Sequence, residues 1–208
     1  MKIETLKSTG YTKREDTLRI LVCAENRQQV NDVLAGKEVL TVYTDNTGED
    51  IFVEDLKGYL YADSLTEISE GCFELVLTNK APTSQSVREK VIAKIEAYDK
   101  SEAVNSFTLG DKRMWLNKDT RVGLVNSINI EKAAGKETTT LWFDAVQYII
   151  PVDTALQMLA ALELYALDCY NVTQSHIASV KLLDNVETLK DYDYTSGYPE
   201  KLVFNLNT

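Results

Sequence analysis

Along the first 80 positions the apolar residues fall mostly in short runs or at every second position, the spacing of strands, with one interruption at helical spacing. Thr17 to Ala24 is an apolar run that Glu25 closes. Asn26 to Leu34 then places Val33 and Leu34 three and four residues after Val30, and Gly36 stops the helix this predicts. Beyond it the period returns to two. Glu38 to Tyr43 and Asp50 to Val53 flank the polar turn Thr44-Asp45-Asn46-Thr47-Gly48-Glu49, and Tyr59 to Ile68 and Cys72 to Leu77 flank Ser69-Glu70-Gly71. Each pair reads as a hairpin, the second with Gly71 where a positive φ is needed. Residues 1–80 are therefore expected to form a strand-rich α+β module with one helix and about five strands.

Pro82 interrupts any strand between Asn79 and Ser86. Ser86 with Glu89 fits a capping box ahead of Val87, Val91, Ile92 and Ile95, which predicts a helix over 83–99 with one buried face. Arg88, Lys90, Lys94 and Glu96 on its other side mark it as a connecting helix between two halves.

Residues 100–208 alternate hairpins with helices. Val104 to Leu109 and Lys112 to Leu116 pair around Gly110-Asp111, Asn117 caps a helix from Lys118 to Ala134, and Gly135 ends it. Thr138 to Phe143 and Val146 to Ile150 pair around Asp144-Ala145. Asp153 caps a long helix running to about Leu183 with a bend near Asn171 to Ser175. A short helix from Val186 to Tyr192, the loop Asp193 to Pro199 and a last strand from Leu202 to Leu206 complete the pattern. The fold class is α+β, and the C-terminal part is a hairpin-helix-hairpin-helix unit. Its four strands are expected in one antiparallel sheet under the helices, with Trp115 and Trp142 in or near the same core.

Between Leu156 and Tyr170 of the long helix the polar residues are Gln157, Glu163 and Asp168 alone, so most of its faces need cover. Leu159, Leu162 and Ala166 are expected against the sheet. The flank formed by Ala160, Leu164 and Leu167 is expected either against other helices or against its own copy in a homodimer.

Composition narrows the function. With 44% apolar and 26% charged residues in 208, the chain is a folded one that needs neither disulfides nor metal as staples. The net charge of −10 removes the main driving term for sequence-independent nucleic-acid binding. That charge is spread, with 9 basic against 15 acidic residues in 1–80 and 13 against 17 in the remainder, so it reads as solvation. The most apolar stretch, Ala155 to Leu167, is shorter than the ~20 residues of a bilayer span. Met1 to Thr9 reads as neither a secretory signal nor a transit peptide, which predicts a soluble protein with no membrane partner. Cys23, Cys72 and Cys169 are far apart in sequence and read as reduced, mostly buried thiols.

No motif assembles a catalytic site. Ala134-Gly135-Lys136-Glu137-Thr138 looks like a phosphate loop, but Ile130 stands where the first Gly belongs and Glu137 where the hydroxyl belongs. His176, the single imidazole, lies on a helix with Ser175 turned away by ~100° and Cys169 about 10 Å back along the axis. It reads as a hydrogen-bonded structural residue. The acidic pairs Glu15-Asp16, Glu49-Asp50 and Glu54-Asp55 are adjacent residues that diverge on strands or lie in turns, and they read as surface charge. Asp45 to Asp50 is rich in oxygen but lacks the alternating ligands of a calcium loop. The sequon Asn171-Val172-Thr173 falls inside a helix. Catalytic, cofactor and metal residues are accordingly assigned to no position.

The C-terminal half resembles a phage-associated domain of unknown function found in phage and prophage genomes. The resemblance is carried by the Phe107 to Leu116 hairpin with Trp115, the Arg121 helix, Gly135 followed by Thr140-Leu141-Trp142, and Asp168-Cys169-Tyr170. It continues through His176 and Tyr192-Asp193 to Gly197-Tyr198-Pro199, covering about residues 100–206. It implies a phage or prophage context, in a bacterial host's cytoplasm or in a virion, rather than a mechanism. With no catalytic constellation in either half, the expectation is a non-enzymatic protein that meets other phage structural or assembly proteins, in tail or fibre assembly or as a virion accessory. It assigns no site residue. Two alternatives stand beside it: an enzyme with a carboxylate or metal site, and a host-directed regulator that binds a bacterial protein.

Overall fold

The computed structural model describes residues 1–46, 48–143 and 145–205, with the backbone alone for Asp45 and Asn46. It divides into two units, Met1–Thr83 and Ser84–Thr208. The class is α+β, as expected.

In the first unit the strands are β1 (Lys2–Ile3), β2 (Leu6–Lys13), β3 (Thr17–Cys23), β4 (Val39–Asn46), β5 (Glu49–Lys57), β6 (Tyr61–Ser69) and β7 (Cys72–Thr78), with helix α1 (Arg27–Leu34) after β3. They form one antiparallel sheet in the order β5-β4-β1-β2-β3-β7-β6. The two edge strands, β5 and β6, are consecutive in sequence and separated by Gly58, Tyr59 and Leu60. Extended chain at ~3.5 Å per residue lets that link reach about 14 Å. The sheet must therefore curl until its edges approach each other at that end, as an open barrel does.

Alternation decides what the curl encloses. Leu18, Ile20 and Val22 of β3 and Phe73, Leu75 and Leu77 of β7 point inward with Ile3, Leu40 and Val42, and α1 adds Val30 and Leu34. Asn26 starts α1 by accepting the Gln29 N–H at 3.0 Å. The sheet holds two strands more than expected. β1 has two residues, and β2 shows little alternation because its inward positions include Ser8, which is buried and donates to the Leu21 carbonyl at 2.8 Å. A register shift between Ser8 and Gly10 breaks the period further.

The second unit contains α2 (Ser84–Asp99), β8 (Phe107–Leu109), β9 (Lys112–Met114), α3 (Lys118–Ala133), β10 (Thr138–Phe143), β11 (Val146–Pro151), α4 (Val152–Leu182), α5 (Val186–Lys190) and β12 (Val203–Phe204). The helix expected as a connector over 83–99 is α2, and its role is corrected: it is part of this unit. Val87, Val91 and Ile95 pack with Val180 and Leu189. Arg88, expected in solvent, donates to the Leu183 carbonyl at 2.7 Å and to Asp184 at 2.8 Å, which fastens α2 to the end of α4.

The expected four-stranded antiparallel sheet is also corrected. β10 and β11 form a separate two-stranded ribbon, while β8 and β9 are joined by β12, which runs parallel to β8. The strand from the tail takes the edge of β8 that a second hairpin would have needed: Thr108 N–H donates to the Leu202 carbonyl and Gly110 N–H to that of Phe204, both at 2.9 Å. Leu206, expected to end that strand, and Asp144, expected in the ribbon's turn, lie outside the described residues.

Asn117 caps α3 as expected, accepting from Thr120 N–H at 2.8 Å, and Gly135 follows its end at φ +77°. Asp153 is not the cap of α4. The helix begins at Val152 after Pro151, and Asp153 sits in its first turn, 2.7 Å from Lys132 and favourably placed at the positive end of the helix. α4 then runs unbroken for 31 residues, about 46 Å, through the expected bend.

Trp142 is not in the core. Thr139, Leu141 and Phe143 take the inward positions of β10, so the intervening Trp142 is 63% exposed. Trp115 is half-buried at the core's margin, beneath the Arg121 guanidinium at 5.1 Å and edge-on to Tyr165.

Candidate functional site

His176 finds its partners far along the chain. Nδ1 lies 2.9 Å from the Tyr192 hydroxyl and Nε2 lies 2.9 Å from the Ser196 carbonyl. A carbonyl only accepts, so Nε2 carries a proton and donates it to Ser196, while Nδ1 shares a hydrogen bond with the Tyr192 hydroxyl. The ring also stacks on Tyr198. Both nitrogens are thus engaged in holding the tail, and neighbouring Ser175 faces solvent.

Cys169, Thr173 and Tyr165 of α4 form the adjoining polar seam. Thr173 donates to Asp99 Oδ1 at 2.7 Å, which leaves its oxygen to accept from the Tyr198 hydroxyl at 2.9 Å. Tyr165 donates to the Val104 carbonyl at 2.8 Å. Burial pushes the Cys169, Tyr165 and Tyr198 pKa values upward, so all three stay protonated, the opposite of an activated nucleophile. Thr173 is buried, so the Asn171 sequon is built into the helix packing.

The remaining candidates are held in ion pairs or stand apart. Lys136 pairs with Glu131 at 2.8 Å at the end of α3, so the Gly135-Lys136 stretch makes no phosphate loop. Asp16 pairs with Lys80 at 2.5 Å and Asp50 with Lys2 at 2.7 Å. Glu54 accepts from the Tyr11 hydroxyl while Asp55 accepts from Thr41, so the two carboxylates diverge. Of the oxygen-rich turn, Thr47 and the side chains of Asp45 and Asn46 lie outside the described residues. Among the described residues no three His, Cys, Asp or Glu side chains are grouped to hold a metal ion, and no helix is long and apolar enough to cross a membrane.

What the fold does build is a groove of about 520 Å³ between α3 and α4. Val122 and Val125 stand on one wall and Leu156, Ala160 and Leu164 on the other. These positions recur three and four residues apart on each helix, so each helix turns one stripe to the groove. Ala160 keeps it open, because any longer side chain there would enter the space. Arg121 ties the walls together. It is 5% exposed, donates from Nε to Glu163 at 2.8 Å and from Nη1 to the Leu116 carbonyl at 2.6 Å, and lies over Trp115. The ion pair thereby fixes the spacing of the helices and leaves the groove electrically neutral.

The α4 wall of the groove runs on into an exposed apolar ridge. Leu164 is 65% exposed and Leu167 54%, and Val122 on the facing helix is 47% exposed. This is the Ala160, Leu164 and Leu167 flank, and no helix of the unit covers it. The sequence pattern gave the ridge; the groove needed the pairing of α3 with α4, which no local spacing shows. No protein-family model, curated protein or solved structure matches this chain.

Proposed function

We propose that the chain is a non-enzymatic contact protein that self-associates through the α3–α4 groove. The observation that carries this is an apolar groove whose α4 wall ends in exposed Leu164, with exposed Leu167 projecting just beyond it. A two-fold interface must carry both its projecting and its receiving surface on one patch, and this patch has both. Charge points the same way. A net charge of −10 makes two copies repel, but the groove holds one cation and one anion already paired with each other, so the copies meet where that repulsion is least.

The order of residues from the Phe107 hairpin to Gly197-Tyr198-Pro199 supports placing this activity in phage or prophage assembly, where an accessory of tail or fibre works in several copies. Sedimentation of wild type against Leu164→Asp tests the contact. The expected outcome is a wild-type dimer that dissociates on dilution and a monomeric variant whose melting midpoint matches that of wild type at dilutions where both are monomers, because exposed substitutions cost within about 0.5 kcal/mol. A wild type that stays monomeric at high concentration overturns the reading.

A further inference from the structure

Cys23 and Cys72 stand 49 positions apart in sequence, yet the β3–β7 register sets them directly opposite, with their sulfurs 3.7 Å apart. Next to them Ala24 N–H donates to the Gly71 carbonyl at 3.0 Å. That bond marks Ala24 and Gly71 as the hydrogen-bonded position of the ladder, so the cysteines occupy the non-hydrogen-bonded one, where opposed Cα atoms approach to ~4.5 Å. A disulfide spans that separation without moving the backbone. Ile20 and Val22 point into the core, as do Phe73 and Leu75, so Cys23 and Cys72 both face outward. They are half-buried, within reach of a small oxidant, whereas Cys169 is buried in the second unit.

We propose that Cys23 and Cys72 are a redox-responsive pair, which a peroxide or a small-molecule disulfide converts into an intramolecular cross-strand disulfide. With hydrogen peroxide, one thiolate attacks an oxygen, the O–O bond breaks, and a sulfenic acid and water result. The second thiol attacks that sulfur, the S–S bond forms and a second water leaves. Two thiols lose two electrons and the peroxide gains them. With a small-molecule disulfide, the first attack forms a mixed disulfide and releases one small thiol, and the second cysteine expels the other. The hydrogen bond with Cys72, and then burial, hold the Cys23 thiol above its usual pKa, while Lys7, opposite Cys23 on β2, pulls it down. The resting pair is therefore two thiols, and oxidation closes the 49-residue separation covalently.

The test treats the full chain with hydrogen peroxide or oxidised glutathione, alkylates the remaining thiols, and maps digested peptides by mass. The expected result is a Cys23–Cys72 linked peptide, a protein about 2 Da lighter, reversal by dithiothreitol, and Cys169 left as a thiol. The melting midpoint of the oxidised form should rise by about 10 °C. In Cys72→Ser, oxidised glutathione should leave a mixed disulfide on Cys23 and no internal link. Recovery of Cys23 and Cys72 as separately alkylated peptides after oxidation, or linked through Cys169 or between chains, overturns the proposal, and that mapping needs only the wild type.

Discussion

In the first unit the inward positions of seven strands converge on one core that α1 helps to fill, whereas the second divides its burial among three smaller clusters around α4. The difference follows from geometry. A curled sheet has one inside, and period-two alternation sends every second residue there. A long helix has no inside; each face must be met by a different partner. α4 meets the ribbon and α3 near its start, the β8 region and the tail in its middle, and α2 with α5 near its end. The flank left over bears Leu164 and Leu167. Both units still leave apolar side chains in solvent, Ile51, Phe52 and Val53 on β5 of the first and Leu164 and Leu167 on α4 of the second, so what differs is the number of interior clusters.

The comparison breaks most readily in the sheet. Phe73 is 2% exposed, and Phe73→Ala should remove about 3–5 kcal/mol from the first unit, read as loss of strand signal at lower urea. A loss under about 1 kcal/mol would mean that the barrel interior rearranges around the missing ring.

A smaller effect should separate the units by pH. Burial above all, and then its bond with Cys169, raise the Tyr165 pKa from the ordinary 10.0. The fold keeps this hydroxyl neutral where the unfolded chain would ionise it. The stability it contributes is whole below pH 10.0 and is lost as pH climbs above that value. Tyr165→Phe should cost about 1 kcal/mol at neutral pH, through the lost hydrogen bond to the Val104 carbonyl, which keeps only the Ser106 N–H as donor. Its melting midpoint should then fall less steeply than wild type between about pH 9 and pH 11. Equal slopes would remove Tyr165 from the alkaline response.

The smallest effect is expected at Trp142. At 63% exposure, Trp142→Ala should change stability by no more than about 0.5 kcal/mol, measured by thermal melting. A cost of several kcal/mol would return it to the core that a hydrophobicity argument alone suggests.

Local spacing was sufficient wherever burial follows a regular period. The α1 helix, the β4–β5 and β6–β7 hairpins, the Asn117 cap and the Leu159 and Leu162 face of α4 all came from residues within a turn or a hairpin of each other. β2 was invisible because Ser8 and Gly10 sit where apolar residues would announce a strand. Trp142 points outward because Leu141 and Phe143 on either side hold the inward phase of β10, and a large side chain does not change the phase of a strand. The partners of His176, the Cys23–Cys72 encounter and the α3–α4 groove depend on which elements meet, and that is set by long-range pairing that no window of sequence contains.

The short link from Gly58 to Leu60 has a mechanical consequence. Edge strands ordinarily peel first, each from its own side of a sheet. Here β5 is tied at one end to its hairpin partner β4 and at the other, through those three residues, to β6, which a tight turn holds against β7. Lifting one margin pulls on the other. The curled sheet should therefore resist partial fraying and give way as a unit, much as a hoop keeps its staves until it is cut.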